Sequence, residues 1–290
     1  MAHDDKYPVE SDRRRFVKGV VGGAALSGAL TTGALTVSLS TDPTAAGGGI
    51  MAYRGADRTG GPAPRGLPQI PIRLDDDGYL MGIWPDAETI EEDGIEYEVA
   101  REEIADVEYT TEWYQYCGLQ TFDGVVPDAP DQDEYFYYPE APPTDDYPWM
   151  EEVTGGDRMH IDDFDGYEDW GNHIGDAGLG KPATGTWRSL DVPPEQTIPI
   201  LVIRSTRIEE AAEEEAAEGD EWLQETCPEG LVAFVNKCTH FCCVPGYKRF
   251  GEAPQFGAEN DIYCVCHDSV FDPFTIVEDR FVSLPRPEDD

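Results

Sequence analysis

The sequence predicts an all-β fold, led by one N-terminal apolar span and interrupted by a long acidic, loop-rich segment. Three observations carry that reading. Apolar runs of strand length recur, Thr197 to Ile203 (T-I-P-I-L-V-I) and Leu231 to Val235 (L-V-A-F-V) being the clearest. A Pro-rich stretch from Gly61 (G-P-A-P-R-G-L-P-Q-I-P-I-R-L) meets a turn signal at Asp75 to Gly78 and a second run at Tyr79 to Ile83. This reads as loop, strand, tight turn, strand. Residues 19–40 carry no charge, whereas residues 85–185 hold acidic runs and many aromatics with little periodicity.

Composition narrows the class. The 290 residues include 60 Asp and Glu against 20 Lys and Arg, a formal charge of −40. So acidic a chain is expected to be disordered unless it carries apolar material, and here 40% of residues are hydrophobic and 11% aromatic, enough to fold. The charge is spread along the chain and only five basic residues are Lys. That pattern resembles proteins of extreme halophiles, whose carboxylate surfaces stay soluble where salt screens repulsion. Nucleic acid is excluded as a partner, because a polyanion would be repelled. Seven Cys are too few for a disulfide scaffold and suit a metal site plus a bridge or two.

Residues 1–18 form a basic tail containing D-R-R-R-F-V-K from Asp12, which resembles a twin-arginine export signal. It departs at Asp12, where Ser or Thr is usual. Residues 19–40 span about 30 Å as a helix, enough for a bilayer core. They are expected to be a transmembrane anchor or uncleaved signal; their small residues would also suit cleavage near Ala45-Ala46. The cations before the span, Lys6, Arg13 to Arg15 and Lys18, place the N-terminus inside and the rest outside. Residues 41–60 are expected to be a flexible hinge because of Gly47 to Gly49.

Residues 61–84 are the Pro-rich loop and strand hairpin, and 85–185 the acidic, aromatic-rich insertion. Within the insertion a helix is expected around Glu98 to Asp106, and Trp113, Tyr114, Tyr116, Tyr135 to Tyr138, Trp149 and Trp170 are expected to form its core. His160 and His173 with Asp162 or Asp163 have the composition of a two-His, one-carboxylate iron site; they are read instead as solvated loop residues. Residues 186–290 form the regular domain, which includes an acidic helix, Glu209 to Glu218, stopped by Gly219.

The chemistry concentrates in two short clusters, C-T-H-F-C-C (Cys238 to Cys243) and C-V-C-H-D-S (Cys264 to Ser269). Cys238 with His240, and Cys264 with His267, would satisfy one tetrahedral zinc ion. Zinc folds usually repeat C-x-x-C, however, and six soft groups are two too many. A two-iron cluster resolves the count, with two thiolates on one iron, two imidazoles on the other and a bridge between the loops.

These two boxes, C-T-H-x-x-C and C-x-C-H-x-S, resemble those of Rieske iron–sulfur proteins, especially from cytochrome bc-type quinol-oxidising complexes. The resemblance implies a Rieske-type antiparallel β-sandwich with a small cluster-binding subdomain and one [2Fe–2S] cluster. It implies that Cys238 and Cys264 ligate the inner iron and His240 and His267 the outer iron. It further implies a Cys243–Cys266 disulfide and a Ser269 hydroxyl that donates to a bridging sulfur. Cys242 stands where Gly is usual and is expected to pack as a free thiol; a disulfide between the remaining Cys117 and Cys227 is an open alternative to their staying unpaired. Phe271 replaces the Tyr of higher-potential members, which implies a lower potential suited to menaquinol. The family's Pro-rich loop follows its second box, whereas here it precedes both. The chain is therefore expected to be permuted, with Gly61 to Pro64 over the cluster and Pro285 to Pro287 ending where Gly61 begins.

By the same resemblance the chain is an electron-transfer subunit of a membrane quinol:cytochrome c (or copper protein) oxidoreductase. It would work beside a cytochrome b-type subunit, with His267, and His240 next, contacting quinol. The anchor would be retained, single-pass in the cell membrane, with the C-terminal domain on the extracellular side. The alternative is the small Rieske subunit of an exported molybdenum oxidase of the arsenite-oxidising type. A Rieske oxygenase is disfavoured, since only 21 residues follow Ser269.

Overall fold

A computed structural model describes residues 49–92, 95–129 and 131–283. The chain divides into Met1–Asp42 and Pro43–Asp290; the twin-arginine stretch and the expected span over 19–40 lie outside the described residues. Among the described residues, no helix is long and apolar enough to cross a membrane.

The second unit is built on a curled, nine-stranded antiparallel sheet. At one end, β12 (Gly246–Tyr247) pairs with β13 (Ile262–Cys264), which pairs with the long β14 (Ser269–Ser283). Next come β1 (Gly49–Gly60), β2 (Leu67–Ile70), β11 (Leu231–Val235), β10 (Ile198–Arg204), β9 (Lys181–Trp187) and β8 (Phe136–Tyr137). Strands β10 and β11 are the two apolar runs of the sequence, and Leu201, Val202, Val232 and Phe234 are fully buried between their neighbours.

Residues 49–60 correct the expected hinge. They form β1, paired with β14 from Gly49 opposite Ser283 to Gly60 opposite Val270. Met51 and Tyr53 turn inward while Ala52 and Arg54 are more exposed, the period of two that one buried face demands. The register also fixes how β14 runs along β1. It is the start of β14 that lies beside Gly60, while its far end lies beside Gly49; Pro285 to Pro287 are outside the described residues.

β3 (Ile72–Leu74) and β4 (Leu80–Gly82) form the expected hairpin. Its turn is fixed by Asp75, whose Oδ1 accepts the amides of Asp77 and Tyr79 at 3.0 and 2.9 Å. Those bonds hold the Asp75 carboxyl below its ordinary pKa.

β5 (Ala87–Glu92), β6 (Ile95–Ile104) and β7 (Val107–Thr110) form a separate antiparallel meander. The helix expected over Glu98 to Asp106 is therefore strand, closed by a turn in which Ala105 and Asp106 both have positive φ. Glu and Ala favour a helix locally, but pairing on both edges and burial of Val99 and Ile104 outweigh that preference. Apart from β8 and the start of β9, the rest of the insertion is short 3₁₀ turns and loops. Trp113, Tyr114, Tyr147 and Phe164 are buried, with Trp113 stacked on Tyr114 at 3.6 Å. Most of the insertion's aromatics thus face a core, as expected, but Tyr135 and Tyr137 are half-buried, with their hydroxyls donating to Asp75 and Asp133.

The acidic helix α1 (Thr206–Glu218) is capped by the Ser205 hydroxyl, which accepts the Arg207 amide, and ends at Gly219 with φ +93°. The short α2 (Trp222–Thr226) is pinned to β2 by a buried network: Trp222 Nε1 donates to Gln69 Oε1 at 2.8 Å, and Gln69 Nε2 donates to Thr226 Oγ1.

Candidate metal centre

Both cluster loops grow from the ends of strands in the nine-stranded sheet. β11 runs through Asn236 and Lys237 into Cys238. From there the first loop closes on itself, with Cys242 N donating to Cys238 O at 2.9 Å and Cys238 N to Cys243 O at 2.7 Å. Closure requires left-handed backbone at Cys242, whose φ is +63°. The second loop is the turn between β13 and β14, where Cys264 pairs with Ser269. Asp268 at φ +57° completes that turn, and Tyr263 donates its hydroxyl to Asp268 Oδ1 at 2.5 Å. The Cys243–Cys266 disulfide joins the two loops.

Cys238 and Cys264 are free thiols, each 1% exposed, and they hydrogen-bond to one another. That bond is the first cause that holds the Cys238 thiol below its ordinary pKa. The amides of His240 and Phe241 and the Ser269 hydroxyl assist, against burial. Cys264 is pushed up by the same bond and by burial, with the amides of Cys266 and His267 donating toward its sulfur. Each loop thus folds its own N–H groups around its own cysteine, an arrangement that stabilises negative charge on sulfur. Cys264 also lies within 4.8 Å of the Cys243 and Cys266 sulfurs, but those two are bonded to each other, so Cys264 alone of that trio has a thiolate to offer.

The two imidazoles lie together, their centroids 4.7 Å apart and their planes nearly perpendicular. His240 is half-buried, and its Nδ1 is buried without a hydrogen-bond partner among the described residues. His267 is exposed. Around them Phe241 is 66% exposed and Val244 and Val265 are also exposed, an apolar rim on an otherwise acidic protein. Phe241 lies 4.2 Å from the His240 ring and 5.2 Å from that of His267.

The Pro-rich loop lies against both cluster loops. Ala63 N donates to Ser269 Oγ at 3.1 Å, and Thr239 Oγ1 donates to Arg65 O at 2.7 Å. A methyl group on Gly61 would stand 2.3 Å from Asp268 O and 2.5 Å from the Ser269 Cα. Ser269, fully buried, therefore touches the loop above it and the Cys238 sulfur beside it.

The remaining cysteines correct the sequence reading. Cys242 is bonded to Cys117 and is not a packed free thiol. Of the two outcomes left open for Cys227, it takes the unpaired one: it stays free and buried, its thiol pushed up to about 12 by burial. No spacing rule links positions 125 residues apart; the one sequence signal was the Cys in place of Gly. Arg65, which sits against this loop, carried no signal, and Tyr116 was read only as a core aromatic of the insertion. His160 is a partly exposed loop residue, as read, and is also held in place: its Nε2 lies 2.6 Å from Asp77 O and its Nδ1 accepts the Asp162 amide. His173 is exposed. No family model matches the chain, and no match is found among curated proteins or among solved structures.

Proposed function

We propose that this chain is the Rieske-type electron-transfer subunit of a membrane quinol-oxidising complex. The observation that carries the reading is that two disulfide-joined loops bring together two buried thiols and, from the same loops, two imidazoles, one of which reaches solvent. A structural zinc site is closed on all sides; an exposed His267 suits a centre that exchanges something with a partner.

The residues fit a [2Fe–2S] cluster. Cys238 and Cys264 would hold it through sulfur, His240 through the unpartnered Nδ1, and His267 through a ring nitrogen. When bound, the cluster would supply a one-electron carrier whose potential is raised by imidazole in place of thiolate. The Ser269 hydroxyl and the loop amides offset negative charge on the sulfurs. His267 presents its other ring nitrogen to solvent, where it can accept a quinol hydroxyl hydrogen bond and take the proton; His240 is the second such group. Phe241, Val244 and Val265 keep water from that contact. Gly61 to Pro64 serve as the cover of the site from upstream, the permuted order of a Rieske β-sandwich.

On this reading the partners are a cytochrome b-type subunit, quinol (menaquinol, given Phe271) and a cytochrome c or small copper protein. Residues 19–40 anchor the chain, with the domain on the extracellular side. Affinity purification of the full chain from detergent-solubilised membranes tests this: a b-type cytochrome should copurify. A molybdoprotein in its place would overturn the quinol reading in favour of an exported molybdenum oxidase.

A further inference from the structure

The insertion has no part in the chemistry above, yet it is bonded to the first cluster loop. Cys117 and Cys242 are joined, and both sit in left-handed backbone, at φ +55° and +63°. Cys242 and Cys243 are consecutive, so the end of one small loop is held from two directions: Cys243 by the second cluster loop, Cys242 by the insertion. The Tyr116 hydroxyl donates to Lys237 O at 3.4 Å, and Cys117 Sγ lies 3.7 Å from Cys238 O, so the bridge seats against the base of the loop. Its far end is rigid. Trp113 and Tyr114 are buried, and Tyr114 packs on Trp84 and Trp187 at 5.6 and 5.9 Å.

A non-glycine residue in this backbone region is strained, and an unbraced loop relieves the strain by opening. We propose that the Cys117–Cys242 disulfide is a positioning strut for the first cluster loop. It holds the left-handed turn that presents His240, in a chain that lacks glycine there, and makes the aromatic insertion part of the site's scaffold. The role given to His240 rests on the electron-carrier reading; the bracing of the loop does not.

The test compares two bridgeless double variants of the full chain, C117S/C242A and C117S/C242G, in which neither former partner of the bridge is left as a new thiol beside the Cys243–Cys266 bond. Hydrogen exchange read by mass spectrometry over residues 238–243, in metal-free and loaded protein, reports the loop. With alanine at 242, exchange should rise about tenfold over the native chain, the factor matching the cost of left-handed backbone in a non-glycine residue. With glycine it should return to within about threefold of native, because glycine bears that backbone without strain. Pulsed electron paramagnetic resonance of the loaded protein should show the same order in the spread of the His240 nitrogen coupling. Equal exchange in the two variants, or no change in either, overturns the strut. So does equal opening of residues 198–204, which would make the bridge a support of the whole sheet. A chain that binds no cluster yet shows the predicted exchange keeps the strut and loses the electron-carrier reading.

Discussion

Replacing Gly61 with alanine puts a methyl group where the backbone of the second cluster loop already lies. Gly61 has φ +75°, and left-handed backbone costs a non-glycine residue about 1–2 kcal/mol. The new Cβ would fall 2.3 Å from Asp268 O and 2.5 Å from the Ser269 Cα, and neither atom belongs to a flexible side chain that can swing away. The Pro-rich loop must therefore lift, which breaks the buried Ala63 N to Ser269 Oγ bond; a lost buried hydrogen bond adds about 1 kcal/mol or more. Together the destabilisation should reach about 3 kcal/mol. Denaturant titration in molar KCl, followed by tryptophan fluorescence, measures it. Gly251 is the control: nothing lies within 4 Å of its would-be Cβ, so Gly251→Ala should stay within about 0.5 kcal/mol of native. A Gly61→Ala loss as small as that of Gly251→Ala would refute the close seating of the loop on the cluster turn.

Other consequences follow from single residues. Phe271 is fully buried on β14. On the proposed Rieske reading, Phe271→Tyr should raise the midpoint potential of the loaded protein in a redox titration, because a hydroxyl donated to a ligand sulfur would favour the more negative, reduced form; an unchanged or lower potential contradicts this. The Asp261 carboxyl is pushed up to about 6 by burial, with Asp272 and Glu259 adding repulsion. The native state therefore favours its protonated form, a stabilisation full below the ordinary carboxylate pKa and lost as pH rises through 6. Asp261→Asn should stabilise the protein at neutral pH by about 1 kcal/mol after solvent screening, and the gain should vanish near pH 4, about the ordinary carboxylate pKa; a gain that persists there defeats the assignment. Cys227, buried beside Gln69 with its thiol pushed up to about 12, should resist alkylation in the native chain and react only on denaturation. Labelling at the rate of an exposed thiol would disprove its burial.

The parts of the structure legible in the sequence are those whose signal is local. Strands β10 and β11 are continuous apolar runs with one compatible outcome, and Asp75 to Gly78 could hardly be anything but a turn. The two Cys-and-His loops read as ligand sets because their spacing alone makes them compact. β1 was misread because its small residues after Gly47 to Gly49 look like a linker; what makes it a strand is β14, more than two hundred residues away in the chain. β6 was misread because Glu and Ala favour helix locally, and only pairing on both sides reverses that. The Cys117–Cys242 bridge depends on where the insertion folds back, and no local pattern at either cysteine encodes it.

The most direct test of the central claim is the metal content and paramagnetic signature of the purified chain. Two irons and two acid-labile sulfides per chain are predicted, with nitrogen couplings from two imidazoles that disappear one at a time in His240→Ala and His267→Ala. A single zinc ion with no sulfide, or iron whose spectrum shows no imidazole nitrogen, would contradict it.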